Sequence, residues 1–99
     1  MEKVLDQNIH TAARCLKALA HPTRLKILSV LNDREMGVQQ IVDELKTSQS
    51  SVSQQLGLLK DRQVLESRRE GNQVFYRVRD RKILKLLDLM REVFCPPQR

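Results

Sequence analysis

The spacing of apolar residues along the chain changes period twice. Ile9, Ala12, Ala13, Leu16 and Leu19 fall at helical spacing and predict a first helix over residues 8–19. His21-Pro22 interrupts it, and Pro22 suits the first turn of a new helix, where its missing N–H would have no partner anyway. Leu25, Ile27, Leu28, Val30 and Leu31 make that second helix apolar on more than one side, the pattern of a buried helix. Residues 32–37 read as a polar turn ending in Gly37. Val38, Ile41, Val42 and Leu45 predict a short third helix. Ser48 is a good N-cap for a fourth, whose Val52, Leu56 and Leu59 face inward. Gly57 inside that helix lowers its propensity, and a close helix contact is the expected reason.

From Val64 the period becomes two. Val64-Leu65 opens a strand, and Glu70-Gly71-Asn72 has turn chemistry. Val74, Tyr76 and Val78 then alternate with Phe75, Arg77 and Arg79 in a returning strand. Helical spacing resumes over residues 81–95. Ile83, Leu84, Leu86, Leu87, Leu89, Met90, Val93 and Phe94 are too many for one packing face there. So wide an apolar surface calls for a second partner, and another copy of the chain is the obvious one. Pro96-Pro97 closes the helix. The expected fold is mainly α with a small β-hairpin, a winged helix-turn-helix in a single domain over residues 1–99. The helix-turn-helix would occupy 38–62 and the wing 64–79.

Composition sharpens this. The chain has 99 residues, is 40% hydrophobic and lacks Trp, so its helical core is thin. The net charge is +6, and its distribution says more than its size. Residues 60–82 carry eight Lys/Arg against four Asp/Glu, whereas residues 1–59 carry seven against six. The positive excess sits around the hairpin, where phosphates would lie in a nucleic-acid complex. A helix showing Ser and Gln at its leading end can read base edges in a major groove, and an Arg-rich hairpin can lie on phosphates or in a minor groove. A DNA-binding regulator is therefore expected, with a winged-helix protein-interaction module as the competing class.

Other classes find little support. There is no Gly-rich phosphate loop, no Cys-x-x-Cys, and no local nucleophile with a base and an orienting acid, so neither an enzyme nor a cofactor is expected. No apolar run approaches the roughly 20 residues of a membrane span. Residues 1–10 lack a signal-peptide pattern, which makes a cytoplasmic location the expectation. Two cysteines in such a chain do not suggest a disulfide scaffold.

Three segments carry a resemblance. Leu16–Leu28 (LKALAHPTRLKIL), Ser50–Leu56 (SSVSQQL) and Gly71–Arg77 (GNQVFYR) resemble the ArsR/SmtB family of bacterial repressors, over roughly residues 9–95. The resemblance implies four helices, a β-hairpin and a fifth helix. It also implies a homodimer joined through the first and last helices, residues 8–19 and 81–95, and release from DNA when an inducer binds. The fourth helix becomes the recognition helix, and residues 66–77 the contacting part of the wing. By position, Gln49, Ser50, Ser51, Ser53 and Gln54 would approach bases and nearby phosphates, and Arg68, Arg69, Gln73 and Arg77 would serve the wing. A bidentate Gln–adenine pair gives about 1–3 kcal/mol of base discrimination. A twofold dimer would read an inverted repeat in double-stranded DNA, with half-sites roughly 34–36 Å apart.

The family's metal patterns are missing. Where a Cys-x-Cys pair would stand near the third helix, the chain reads Met36-Gly-Val-Gln-Gln40, and residues 81–95 contain Asp88 but no His. No zinc, nickel or cadmium site is expected. His21 belongs to the helix-starting His-Pro pair and is expected to be structural, and His10 a surface residue.

Cys15 and Cys95 remain as a candidate thiol switch. The Val93-Phe94-Cys95 ending resembles the sulfide- and redox-responsive branch of the family, whose partner cysteine lies about where this chain has Ser29. The expected switch is therefore a disulfide or persulfide bridge between Cys15 and Cys95 that releases the repressor from DNA. A direct disulfide requires Cα atoms about 4.4–6.8 Å apart. The alternatives are arsenic(III) held by the thiolates, cysteines that only pack, and an inducer-free regulator that displaces another DNA-bound protein.

Overall fold

The computed structural model describes residues 2–95, with side-chain environments from Asp6 onward. The elements run α1 (Glu2–Leu19), α2 (Pro22–Leu31), β1 (Met36–Gly37), α3 (Val38–Leu45), α4 (Gln49–Asp61), β2 (Leu65–Glu70), β3 (Gln73–Val78) and α5 (Arg81–Phe94). This is a winged helix-turn-helix. No helix among the described residues is long and apolar enough to cross a membrane.

Helix α2 forms the centre. Its Ile27, Leu28 and Leu31 are wholly buried, together with Ile41 of α3 and Val52 and Leu56 of α4. Met36, Leu65 and Val78 close the core from the sheet side. The helix starts explain why the chain breaks where it does. The His21 Nδ1 accepts the Thr23 backbone N–H at 3.1 Å, so the His-Pro pair caps α2. Ser48 Oγ accepts the Ser51 N–H at 3.2 Å at the head of α4, and the Asp80 carboxylate accepts the Lys82 N–H at 2.9 Å at the head of α5. Between α3 and α4 lie only Lys46, Thr47 and Ser48, with Lys46 in the left-handed region at φ 55°.

Several local expectations change. Helix α1 starts at Glu2 rather than at residue 8, because residues 2–7 are rich in good helix formers that continue it. Residues 32–37 are more than a turn. Met36 and Gly37 pair antiparallel with Tyr76 and Phe75, making a three-stranded sheet of order β1-β3-β2 instead of a lone hairpin. Two residues are too few to show alternation, and their partner strand is far off in sequence. The close helix contact expected at Gly57 is absent, since a Cβ there would meet no atom within 4 Å. Helix α5 ends at Phe94, and Cys95 caps it by donating its N–H to Arg91 O at 2.8 Å. Pro96-Pro97 lie outside the described residues.

The β2–β3 register runs from Leu65↔Val78 to Glu70↔Gln73, closed by the two-residue loop Gly71-Asn72. Gly71 has φ 63°, at the first loop position, where a type II′ hairpin takes glycine.

The two outer helices are packed far less. Among the described side chains, helix α1 buries only Ala18 and Leu19, and it leaves Ile9 and Leu16 about half exposed (55% and 49%). Helix α5 buries no residue fully, and its Val93 and Phe94 are 69% and 71% exposed.

Candidate nucleic-acid interface

Helix α4 divides into two faces. Val52, Leu56 and Leu59 enter the core, which forces Gln49, Ser50, Ser53 and Gln54 outward, all exposed at its leading end. Ser51 is half-buried, and its N–H is held by the Ser48 cap. The hydroxyls of Ser48 and Ser50 lie 3.4 Å apart. The leading end of α4 thus presents hydroxyls and amides beside backbone N–H groups, at the positive end of the helix dipole.

The fold adds three amides, Gln39, Gln40 and Asn72, to Gln49 and Gln73, which the sequence already marks as contacts. Gln39 and Gln40 of α3, Gln49 of α4, and Asn72 and Gln73 of the hairpin line one open groove. Gln40 accepts the Gly37 N–H at 2.9 Å, and Gln39 donates to Asp43 at 2.9 Å. The side chains of Gln49, Asn72 and Gln73 have no hydrogen-bond partner among the described residues. For Gln39, Gln40 and Asn72 the sequence carried no signal beyond the density of amides itself.

The wing arginines differ from one another. Successive strand residues point to opposite faces, so the register puts Glu66, Arg68, Glu70, Gln73, Phe75 and Arg77 on one face. Arg69 and Val74 lie on the other. Arg68 is committed on its face. Its Nε donates to both Glu35 oxygens at 2.8 and 2.9 Å, its Nη1 donates to Glu70 at 3.0 Å, and its guanidinium stacks 4.8 Å over the Phe75 ring. The Arg68 hydrogen bond holds the Glu35 carboxyl below the usual carboxylate range against partial desolvation, and Arg77 adds a smaller pull. The Glu35 and Glu70 carboxylates in turn make Arg68 harder to deprotonate. Arg77 donates to Glu66 across the strand pair. Arg69, near the tip, has no ion-pair or hydrogen-bond partner among the described residues. Of the four arginines in residues 64–79, Arg68 and Arg77 are therefore locally neutralised, Arg79 donates to the Gln63 carbonyl at 2.8 Å, and Arg69 is available.

Cys15 and Cys95 are both free and exposed, and the fold does not bring them into one depression. Cys95 borders an apolar groove with Leu16 and Leu19 of α1 and Met90 and Phe94 of α5. Cys15 borders a different groove, with Arg14, Arg62 and Val64. Ser29 accepts a hydrogen bond from the Arg91 guanidinium, one turn before Cys95, so it faces the end of α5. Among the described residues no three His, Cys, Asp or Glu side chains gather to hold a metal.

Residues 21–67 match the model of the family described as bacterial regulatory protein, arsR family. The biofilm growth-associated repressor of Agrobacterium fabrum is 34% identical over 94 residues, 95% of this chain and 80% of the relative. The transcriptional activator HlyU of Vibrio cholerae is 32% identical over 92% of this chain and 84% of its own length. The structure of reduced HlyU from that organism superposes with a TM-score of 0.82 at 31% identity, covering 94% of this chain and 98% of that one. The transcriptional repressor BigR from Xylella fastidiosa superposes with a TM-score of 0.84 at 30% identity, covering 98% and 99%. The chain thus belongs to the arsR family of bacterial regulatory proteins, in the branch that holds the biofilm growth-associated repressors and HlyU.

Proposed function

We propose that this chain is a homodimeric, DNA-binding transcriptional repressor that acts in the cytoplasm on an inverted-repeat operator. The observation that carries the reading is the leading end of α4, where Gln49, Ser50, Ser53 and Gln54 are all exposed beside an amide-lined groove in which Gln49, Asn72 and Gln73 have no side-chain partner among the described residues. In this reading α4 enters the major groove, Ser51 and the α4 backbone N–H groups hold a phosphate, and the wing follows the adjacent backbone. The free cation Arg69 and the amide of Gln73 make the wing contact, and Arg68 and Arg77 shape the wing through their carboxylate partners. The exposed apolar faces of α1 and α5 support the homodimer, because a stripe with that much apolar surface rarely stays open to water.

Binding to random-sequence and inverted-repeat duplexes across a salt series tests this. A phosphate-gripping dimer loses affinity steeply with salt, and Arg69→Ala lowers the magnitude of the log–log slope by about one per contact. Arg68→Ala lowers affinity through wing geometry, with less change in slope. Salt-independent binding, or none at all, would favour the protein-interaction module.

Release by thiol modification is the regulatory part of the proposal. The free, exposed state of both cysteines supports it, as does the resemblance of the Val93-Phe94-Cys95 ending to the redox-responsive branch of the family. Because Cys15 and Cys95 border different grooves, the bridge runs between protomers or through additional sulfur atoms. Intact mass after treatment with a persulfide donor or a mild oxidant, on the wild type and on Cys15→Ser and Cys95→Ser, tests it. Loss of two hydrogens or gain of bridging sulfur that needs both cysteines supports the switch. Thiols that remain untouched would make them packing residues.

A further inference from the structure

Behind α4, away from its leading end, a depression of about 380 Å³ opens between the end of α1, the start of α2 and the end of α4. Four cations line it: Arg14 and Lys17 from α1, Arg24 from α2 and Arg62 from the cap of α4. Its floor is apolar, with Leu58 and Leu59, and no carboxylate among the described residues lines it. Arg14, Lys17 and Arg62 have no hydrogen-bond or ion-pair partner among the described residues. Arg24 is held by neutral acceptors only, donating from Nε to Gln55 Oε1 at 2.7 Å and from Nη1 to the Ala18 carbonyl at 3.0 Å.

A cation near a helix C-terminus is favourable in itself, because it meets the negative end of the dipole. That accounts for Lys17 on α1 and for Arg62 on α4, each taken alone. It does not account for four cations from three elements converging on one concave surface with no counter-charge. Positive groups gathered in that way repel one another, and an anion placed among them is held by several charge-assisted hydrogen bonds at once. The size suits a small molecule, and the apolar floor suits a ring or alkyl part.

We propose that this depression binds a phosphate-bearing small molecule, with the phosphates among Arg14, Lys17, Arg24 and Arg62 and the apolar part on Leu58 and Leu59. The site is separate from the α4–wing surface and from the apolar faces of α1 and α5. Arg24 links it to α4, because a phosphate that draws the guanidinium competes with Gln55 and loosens the tie between α1 and the recognition helix. That consequence rests on the DNA-binding reading; the binding itself does not.

Calorimetric titration of the full chain with metal-free pyrophosphate and with ADP, at constant ionic strength, tests the site. Saturable binding is expected for both probes, tighter for ADP if its ring uses the floor. In Lys17→Ala/Arg62→Ala, where both side chains are exposed, binding weakens by about tenfold or more, and Lys17→Arg/Arg62→Lys restores it. Arg69→Ala binds as the wild type does. Absence of saturable binding to the wild type overturns the proposal, as does equal affinity in Lys17→Ala/Arg62→Ala. Binding lost only in Arg69→Ala would move the anion to the wing and also overturn it. If pyrophosphate fails to bind while Lys17→Ala/Arg62→Ala weakens DNA affinity, the cluster is a DNA-phosphate grip and the small-molecule site is rejected. A titration that succeeds on a chain without DNA affinity would keep this site and sink the repressor reading.

Discussion

Helix α5 is richer in apolar residues than α4, with eight against four, yet α4 is the buried one. In α4 the apolar residues form a stripe that meets α2, α3 and the sheet, so Val52, Leu56 and Leu59 vanish from solvent. In α5 they spread around the helix. Ile83, Leu84 and Leu87 reach the core's edge, while Leu89, Met90, Val93 and Phe94 are left outside with Ile9 and Leu16 of α1. Apolar content measures how much surface needs cover. Its angular spread tells whether the same chain supplies that cover or leaves part of the surface open.

Charging the open face of α5 has the largest expected effect. Leu89→Glu with Phe94→Glu should turn the proposed dimer into a monomer in sedimentation and abolish the rise of Tm with protein concentration that a dimer shows. A double variant that remains dimeric would remove α5 from the interface. The buried side answers differently. Leu56→Ala should cost about 2–5 kcal/mol in urea unfolding at fixed protein concentration, because the cavity in a packed core closes only in part. A cost below that of a surface change would mean α4 is not anchored as described.

Gly57 probes the remaining face of α4. With nothing within 4 Å of its Cβ position, Gly57→Ala should stabilise the chain by about 1 kcal/mol through helix propensity. The same variant should bind DNA as the wild type does; a selective loss of DNA affinity would reveal a close approach of the DNA backbone to Gly57.

The smallest expected effect is at the wing. Glu35 is held below the usual carboxylate range mainly by the Arg68 hydrogen bond. Its contribution to stability is therefore present above the unfolded carboxylate's pKa and is lost as pH falls through the lower folded value. That window lies below about pH 4. Amide protection across Leu65–Val78, measured relative to the intrinsic exchange rate at each pH, should fall in that range in the wild type, while Glu35→Gln should already show the lower protection at neutral pH. Identical profiles for the two proteins would release Arg68 from its assigned role in holding the wing.

The sequence reading and the structure agree where the controlling forces are local. The order of helices and hairpin, the Ser48 cap, the turn at Gly71 and the inward stripe on α4 all follow from side-chain periodicity and backbone hydrogen bonds between near neighbours. His21 was legible as structural from the His-Pro pair. Its cap bond was not, because His is not among the usual capping residues. The wing was legible as basic, but the arginines could not be ranked. Arg68 and Arg69 are neighbours in sequence with opposite surroundings, since the pleat sends one toward Glu35 and the other away from it.

Contiguous residues alone specify a winged helix-turn-helix whose fourth helix starts with amides and hydroxyls, a basic hairpin and an apolar surplus on the last helix. Only the tertiary structure decided that β1 extends the sheet, that amides from three elements share a groove, that Cys15 and Cys95 open onto different grooves, and that four cations meet behind α4. Those arrangements depend on which distant segments the packed core holds side by side, and the period of a single segment carries no information about its neighbours in space.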